Sequence, residues 1–168
     1  MGTGRKRVGV ITQHSYHNYG SLLQAYATNS LLNELGYDCE LIDYVAPKQD
    51  MRRAYKLYQD APEYDALKKR YAAQIERRKQ NFTDFTRLYR LSPKHYSSDA
   101  EIEADPPQYD IYVTGGDQVW NVNFRIASAA YFLAFTDAQE KYALSTSIGR
   151  CKEDKLSAYK QYLVQYKR

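Results

Sequence analysis

This chain of 168 residues has few cysteines and no long apolar runs, and these absences exclude several classes of protein. Cys39 and Cys151 stand far apart and match no metal-binding or disulfide spacing, so we expect neither a metal site nor a disulfide-stapled secreted domain. No apolar run reaches the length of a signal peptide or a membrane span. The sequence therefore predicts a cytoplasmic protein without a transmembrane segment.

The chain also lacks a large excess of either sign of charge. The formal net charge is +4, which by itself is too small to indicate a nucleic-acid partner. The 18 tyrosines supply aromatic packing surface, and the length suits one domain with a substantial core. We therefore expect a single domain over residues 1–168 and no nucleic-acid binding.

The first 44 residues read as a β-strand, an α-helix and a second β-strand. A β-branched run at residues 7–12 predicts the first strand, and leucines at helical spacing predict a helix from about Ser21 to Leu35. Gly36 follows as a C-cap glycine, and residues 38–44 alternate as a second strand. Such a βαβ unit should be parallel and right-handed.

A second strand-and-loop unit lies at residues 109–121. The short strand 111–113 runs into a turn at Gly115 and Gly116, where the backbone can bend sharply and a ligand can come close. Asp117, Gln118, Trp120 and Asn121 follow, and such side chains can bind hydroxyl groups or a flat ring. The segment alone equally fits a tight turn with Trp120 in the core and Asp117 as a cap.

The loop at residues 13–21 joins the first strand to the first helix. Because a helix N-terminus can bind an anion, this loop is a second candidate ligand site, although no glycine-rich phosphate motif is present. His14 and His17 could act there as acids or bases, and each also fits an ordinary loop histidine. Neighbouring parallel strands would place this loop beside the turn after Val113, with both lining one crevice.

Residues 47–91 predict a basic helical insertion. We expect two helices, at about 50–60 and 62–91, with the second broken near Asn81. A basic, tyrosine-rich surface could bind an anionic glycan, a lipid phosphate or a partner domain, or could simply be solvated. The basic residues are Arg52, Arg53, Lys56, Lys68, Lys69, Arg70, Arg77, Arg78, Lys79, Arg87 and Arg90.

The remaining segments complete a doubly wound, mostly parallel α/β sheet with the predicted order 2-1-3-4. Residues 91–107 read as loop and turn with a short helix at 98–103, and residues 129–135 are an apolar run. Residues 141–148 predict the fourth strand. A last helix is indicated by the apolar stripe Leu156, Tyr159, Leu163 and Tyr166.

Taken together, the ordered segments resemble the polysaccharide pyruvyl transferase family. The recognisable marks are NYGSLLQAYA at residues 18–27 and GGDQVWN at residues 115–121. An F-x-x-F stretch at Phe82, followed by YFLAF and KYALSTSIG, keeps the family's order. Two departures are mild: Gly116 replaces the usual Ser, and residues 143–149 are a loose version of Y-A-A-S-F-G.

The resemblance implies a Rossmann-like half of a GT-B-like enzyme that transfers a pyruvyl group from phosphoenolpyruvate to a sugar of a cell-surface polysaccharide. Such chemistry needs a base, an acid and cations, and needs no cofactor besides the donor substrate. In the family a second domain serves the donor, so residues 1–168 would correspond to the N-terminal half, inactive alone. The expected partners are the saccharide acceptor and phosphoenolpyruvate, with a homodimer possible through an exposed domain face.

The resemblance also assigns site residues in this chain. His14 is the candidate acid or base. The candidate substrate-binding residues are Asn18, Tyr19, Gly20, Ser21, Gly115, Gly116, Asp117, Gln118, Trp120, Asn121 and Arg150. Two other functions stay open: a non-catalytic binding module for an anionic glycan, lipid or partner domain, and a nucleotide-binding transferase that uses His14 and His17 but lacks the glycine expected between them.

Overall fold

A computed structural model describes residues 4–15, 17–46, 62–123, 127–151 and 153–167. Five parallel strands form one sheet in the order β3-β2-β1-β4-β5. The strands are β1 (Arg7–Ile11), β2 (Asp38–Tyr44), β3 (Leu91–Tyr96), β4 (Ile111–Gly115) and β5 (Lys141–Leu144). This is the predicted α/β doubly wound, Rossmann-like architecture, and the four predicted strands have the predicted order.

Helices flank the sheet. The α-helices are α1 (Tyr19–Glu34), α2 (Pro62–Arg70), α3 (Ala72–Phe85), α4 (Asp99–Ala104), α5 (Glu153–Leu156) and α6 (Lys160–Leu163). Three 3-10 turns lie at Thr86–Leu88, Ala129–Phe132 and Ser157–Tyr159. The short helix predicted before the GGDQVWN stretch is confirmed as α4. The described residues contain no helix long and apolar enough to cross a membrane.

Helix α1 begins and ends where local capping signals stand. The Asn18 side chain accepts a hydrogen bond from the Ser21 amide at 3.1 Å, so the helix starts at Tyr19, two residues before the predicted start. Gly36 follows the helix with φ of +92°, a left-handed conformation that glycine adopts without strain. The predicted C-cap is confirmed.

Strand β3 corrects the expectation of loop and turn after residue 90. Pro93 lacks an amide hydrogen, which is tolerated because β3 is an edge strand paired only with β2. The register shifts between Leu41 and Asp43, and there the Asp43 amide donates to the Ser92 hydroxyl at 2.9 Å instead of to a strand carbonyl. A segment with turn-forming residues can therefore be a strand here, because an edge strand tolerates them.

The insertion differs from its prediction in where it breaks. The first predicted helix, at 50–60, lies outside the described residues. The second is divided at Tyr71 into α2 and α3, and Asn81 lies within α3, so the break predicted near Asn81 was wrong. Burial of the adjacent Phe82, which is 3% exposed, outweighs the weak helix propensity of asparagine.

The C-terminal elements are shorter than predicted. Strand β5 ends at Leu144 rather than Ile148, because Ser145 has φ of +54°, which is outside the strand region. The single predicted last helix is three short pieces: α5, a 3-10 turn and α6. Its tyrosines still face inward, since the Tyr159 ring lies 4.5 Å from that of Phe132.

The core has two layers, one on each face of the sheet. Helices α1 and α3 cover one face, around Val10, Leu41 and Phe82. Helix α4 and the 129–135 segment cover the other, where Ile102, Tyr112 and Tyr131 are buried. Successive side chains of each strand point to opposite faces of the sheet and so contribute to both layers. The carboxyl ends of the strands are the edge of such a sheet at which ligands bind.

Candidate functional site

A crevice opens where β1 and β4 end. The two strands are neighbours in register, with Ile11 opposite Thr114, so the loops that follow them lie side by side as predicted. The crevice holds about 300 Å³, at the lower end of the range for small-molecule sites. Its lining residues are Thr12, Gln13, Asn18, Gly20, Ser21, Gln24, Gly115, Gly116, Asp117, Gln118 and Val119.

Gln24 of α1 forms the back wall of this crevice. Its Oε1 accepts a hydrogen bond from Thr12 Oγ1 at 2.9 Å, and its Nε2 donates to Thr28 Oγ1 at 2.9 Å. A Cβ added at Gly115 or Gly116 would lie 3.1 Å from the Gln24 amide, and Gly116 has φ of +110°. The two glycines thus let Gln24 pack closely against the turn, and Gly116 also has a backbone conformation that favours glycine.

Sequence analysis did not single out Gln24 or Thr12. Gln24 follows Gly20 by four residues and therefore lies on the same face of α1, which is the signal that could have found it. Thr12 directly follows the end of β1. Its burial at 1% exposure became visible only when β4 and α1 were packed beside it.

Gln118 lies in the crevice with a strained backbone. Its φ of +49° is unusual for a residue with a side chain. The conformation is held from behind, since Asn121 Nδ2 donates to Gln118 Oε1 at 2.9 Å, and Gly149 packs against both side chains. Gln118 Nε2 donates no hydrogen bond to a described residue, so it can donate to a ligand. Strain held in this way is typical of binding sites.

Asp117 supplies the only ionisable side chain among the described lining residues. It follows the Gly115–Gly116 turn and is exposed. Since a carboxylate accepts hydrogen bonds and can take up a proton, Asp117 is placed to bind or activate a hydroxyl group.

Trp120 points away from the crevice. Its Nε1 donates to the Tyr131 carbonyl at 2.9 Å, and its ring stacks on Phe132 at 5.8 Å. The Tyr166 ring meets it edge-on at 5.2 Å. The structure therefore gives the indole the core contacts that the tight-turn interpretation expected, and no ring face toward the crevice.

His14 is also turned away from the crevice, at 2% exposure. Its Nε2 lies 3.1 Å from Asp43 Oδ1 and its Nδ1 lies 3.2 Å from the Thr12 carbonyl oxygen. The Tyr89 hydroxyl donates to the His14 carbonyl at 2.6 Å. These bonds anchor the loop after β1, so the position of His14 supports a structural role and offers no path to a bound ligand.

Asp43 joins two histidines. Its second oxygen lies 3.0 Å from His95 Nδ1. Burial opposes ionisation of Asp43, but the hydrogen bonds and charges of His14 and His95 outweigh it and lower the pKa of the carboxyl group. His14 Nε2 and His95 Nδ1 thus both lie at hydrogen-bonding distance from the Asp43 carboxylate. The described residues contain no cluster of three or more His, Cys, Asp or Glu that could hold a metal.

The other predicted site residues divide between the crevice and its surroundings. Tyr19 is 62% exposed and outside the lining, with its ring 4.7 Å from that of Phe82, whereas Asn121 is buried behind Gln118. Arg150 is exposed outside the lining, and its carbonyl accepts from Asn123 Nδ2 at 2.9 Å. His17 stacks on Phe82, so His14 and His17 face different surroundings rather than one shared cavity. Asn18, Gly20, Ser21, Gly115, Gly116, Asp117 and Gln118 line the crevice together.

Comparison with known proteins supports the two motif stretches. The family model for polysaccharide pyruvyl transferase matches residues 18–166. No curated protein and no solved structure matches the chain significantly. The matched region contains the stretches at 18–27 and 115–121, which supply all of the crevice lining except Thr12 and Gln13. The chain belongs to the polysaccharide pyruvyl transferase family.

Proposed function

We propose that this domain binds the saccharide acceptor for transfer of a pyruvyl group from phosphoenolpyruvate to a sugar of a cell-surface polysaccharide. The observation that carries the proposal is the crevice between the two family motifs. Its lining combines amides, hydroxyls and one carboxylate. Such groups match the alternating donors and acceptors of sugar hydroxyls.

Asp117 is the proposed general base. Attack of a sugar hydroxyl on the phosphate-bearing carbon of the donor requires a group that takes the hydroxyl proton, and a second group must protonate the methylene carbon. A second hydroxyl of the sugar then bonds to the same carbon as phosphate leaves, which closes the ketal. Asp117 is the ionisable group of the described lining, and Gln118 beside it can donate a hydrogen bond to the same sugar. His14, the residue first expected in this role, lacks access to the crevice.

The donor would be held by other groups. The phosphate and carboxylate of phosphoenolpyruvate need cations, and the described lining residues include no Arg, Lys or His. We therefore propose that turnover requires residues beyond this crevice and that the domain does not turn over alone. A cytoplasmic location is part of the proposal, since Cys39 is a buried free thiol.

Binding experiments test the proposal directly. Titration of ¹⁵N-labelled protein with methyl glycosides of glucose, galactose and mannose should shift the amide signals of Ser21, Gly116 and Gln118. Asp117→Asn should weaken that binding by about tenfold, as expected for loss of one charged hydrogen bond. Asp137→Asn is the matched control, because Asp137 is exposed and outside the crevice.

Two results would contradict the proposal. The first is that no glycoside shifts the crevice amides. The second is that Asp117→Asn and Asp137→Asn behave alike. Phosphate release from phosphoenolpyruvate by the domain alone would contradict the separate proposal about the donor.

A further inference from the structure

The side-chain amide of Gln118 can present either a donor or an acceptor to the crevice, depending on which way it is turned. A half-turn about the last side-chain torsion exchanges its NH₂ end and its carbonyl end. Asn121 contacts one of these ends, because its Nδ2 donates to Gln118 Oε1 at 2.9 Å. The other end, Gln118 Nε2, is left for a ligand in the crevice that Gln118 lines. The orientation of Asn121 therefore decides which chemistry the crevice offers at this point.

A backbone group fixes the orientation of Asn121 in turn. The Asn123 backbone N–H donates to Asn121 Oδ1 at 3.1 Å, and a backbone N–H can only donate. The Oδ1 end of Asn121 must therefore face residue 123, and the Nδ2 end faces Gln118. Because Asn121 is 6% exposed, a reversed amide would set its Nδ2 against that N–H with little access to water, which is costly.

The segment after β5 anchors this chain of hydrogen bonds. Asn123 Nδ2 donates to the Arg150 carbonyl at 2.9 Å, and Lys155 Nζ donates to Asn123 Oδ1 at 3.1 Å. Gly149 lies against the contact between the two amides, where a Cβ would be 2.6 Å from Gln118 Oε1 and 2.7 Å from Asn121 Nδ2. The end of Gln118 that faces Asn121 is therefore closely packed, and each amide has one orientation that fits the bonds around it.

We propose that Asn121 is a positioning residue, which holds Gln118 so that the crevice presents a hydrogen-bond donor beside the carboxylate of Asp117. The inference rests on the proposed function, and it specifies what the sugar must offer at this point, namely an oxygen that accepts a hydrogen bond. Asp117 accepts from a hydroxyl group and Gln118 donates to one, so the pair combines both polarities. A Gln118 amide turned the other way would instead add a second acceptor next to the carboxylate.

Two variants of Asn121 separate polarity from packing. Asn121→Asp keeps the shape and still accepts from the Asn123 N–H, but its second oxygen can only accept, so Gln118 must turn Nε2 away from the crevice. Glycoside binding should weaken about tenfold, the value of one hydrogen bond. Asn121→Ala removes both bonds and leaves the Gln118 amide free to take either direction. About half of the molecules then keep the donor, and binding should weaken only about twofold.

The measurement is titration of the ¹⁵N-labelled 168-residue protein with the methyl glycosides of glucose, galactose and mannose. A glycoside that binds the wild type should shift the side-chain NH₂ signals of Gln118, and Asn121→Asp should abolish that shift. A merely structural role for Asn121 predicts a different order, since alanine removes the whole buried side chain. Binding that is weakened by Asn121→Ala as much as by Asn121→Asp would therefore overturn the inference.

Gln118→Ala provides the control for the negative charge that Asn121→Asp adds. Because the proposed effect passes through Gln118, Asn121→Asp should weaken binding no further in a protein that already carries Gln118→Ala. A second tenfold loss in that background would overturn the inference, since the aspartate would then act without Gln118. Failure of the proposed function is distinct: no glycoside would then shift the backbone amides of Ser21 and Gly116 in the wild type.

Discussion

Replacement of Phe82 by alanine should both destabilise the protein and loosen the crevice wall. Phe82 is 3% exposed and contacts the rings of His17 and Tyr19 and the guanidinium of Arg78. Truncation of a buried Phe usually costs about 3–5 kcal/mol, because the transfer free energy is lost and a cavity remains. Because contacts with three packed partners are lost at once, we expect Phe82→Ala to lower the free energy of unfolding by about 4 kcal/mol.

The assay is urea unfolding with hydrogen exchange on the same samples. Phe85→Ala is the control, because Phe85 is only half-buried and meets one ring, that of Tyr26, at 5.9 Å. It should cost about 2 kcal/mol, because partial burial against the core is lost together with one aromatic pair. Exchange should accelerate at Ser21 and Leu22 in Phe82→Ala alone, since α3 would no longer hold the loop before α1.

A loss of less than about 1 kcal/mol in Phe82→Ala would refute this reasoning, because a buried anchor cannot be removed at so small a cost. Unchanged exchange at the start of α1 would refute the link between α3 and the crevice. Because global destabilisation accelerates exchange throughout the protein, local opening is shown only if exchange at Ser21 and Leu22 accelerates more than exchange in strand β4.

Two further predictions concern Gly149, which packs behind Gln118, and the two cysteine thiols. Gly149→Ala should weaken glycoside binding, because Gly149 has φ of +57° and a Cβ there would lie 2.6 Å from Gln118 Oε1. The control is Gly36→Ala, since Gly36 also has a positive φ but a Cβ there would meet no atom within 4 Å; it should lower stability without changing binding. Equal effects of the two variants on binding would contradict this prediction. Burial raises the pKa of the Cys39 thiol to about 11, so a thiol reagent at pH 8 should modify half-buried Cys151 and reach Cys39 only after unfolding. Two fast-reacting thiols in the folded protein would contradict the second prediction.

The elements with strong local signals could be read from the sequence. Strand β1, helix α1 and strand β2 have apolar spacing, an Asn18 cap and a Gly36 C-cap, all of which act within a few residues. The order of the four predicted strands also followed, because short connections and right-handed crossovers leave few arrangements. The family followed from two stretches whose residues stand together in the chain.

Strand β3 could not be read in this way. Pro93 and the polar residues around it indicate a turn, and only pairing with β2 makes the segment a strand. The continuity of α3 through Asn81 has the same origin. Burial of Phe82 against a loop more than 60 residues earlier in the chain overrides local helix propensity.

For the candidate site, the sequence alone determined which two loops meet, because their strands are neighbours in a parallel sheet. Only the tertiary structure decided which side chains face the crevice. The His14 ring turns inward because Asp43 holds its Nε2 while the Tyr89 hydroxyl holds its backbone carbonyl, and Trp120 turns away because the Tyr131 carbonyl accepts from its Nε1. These partners come from distant parts of the chain, and no local pattern encodes the direction of a side chain that distant contacts hold.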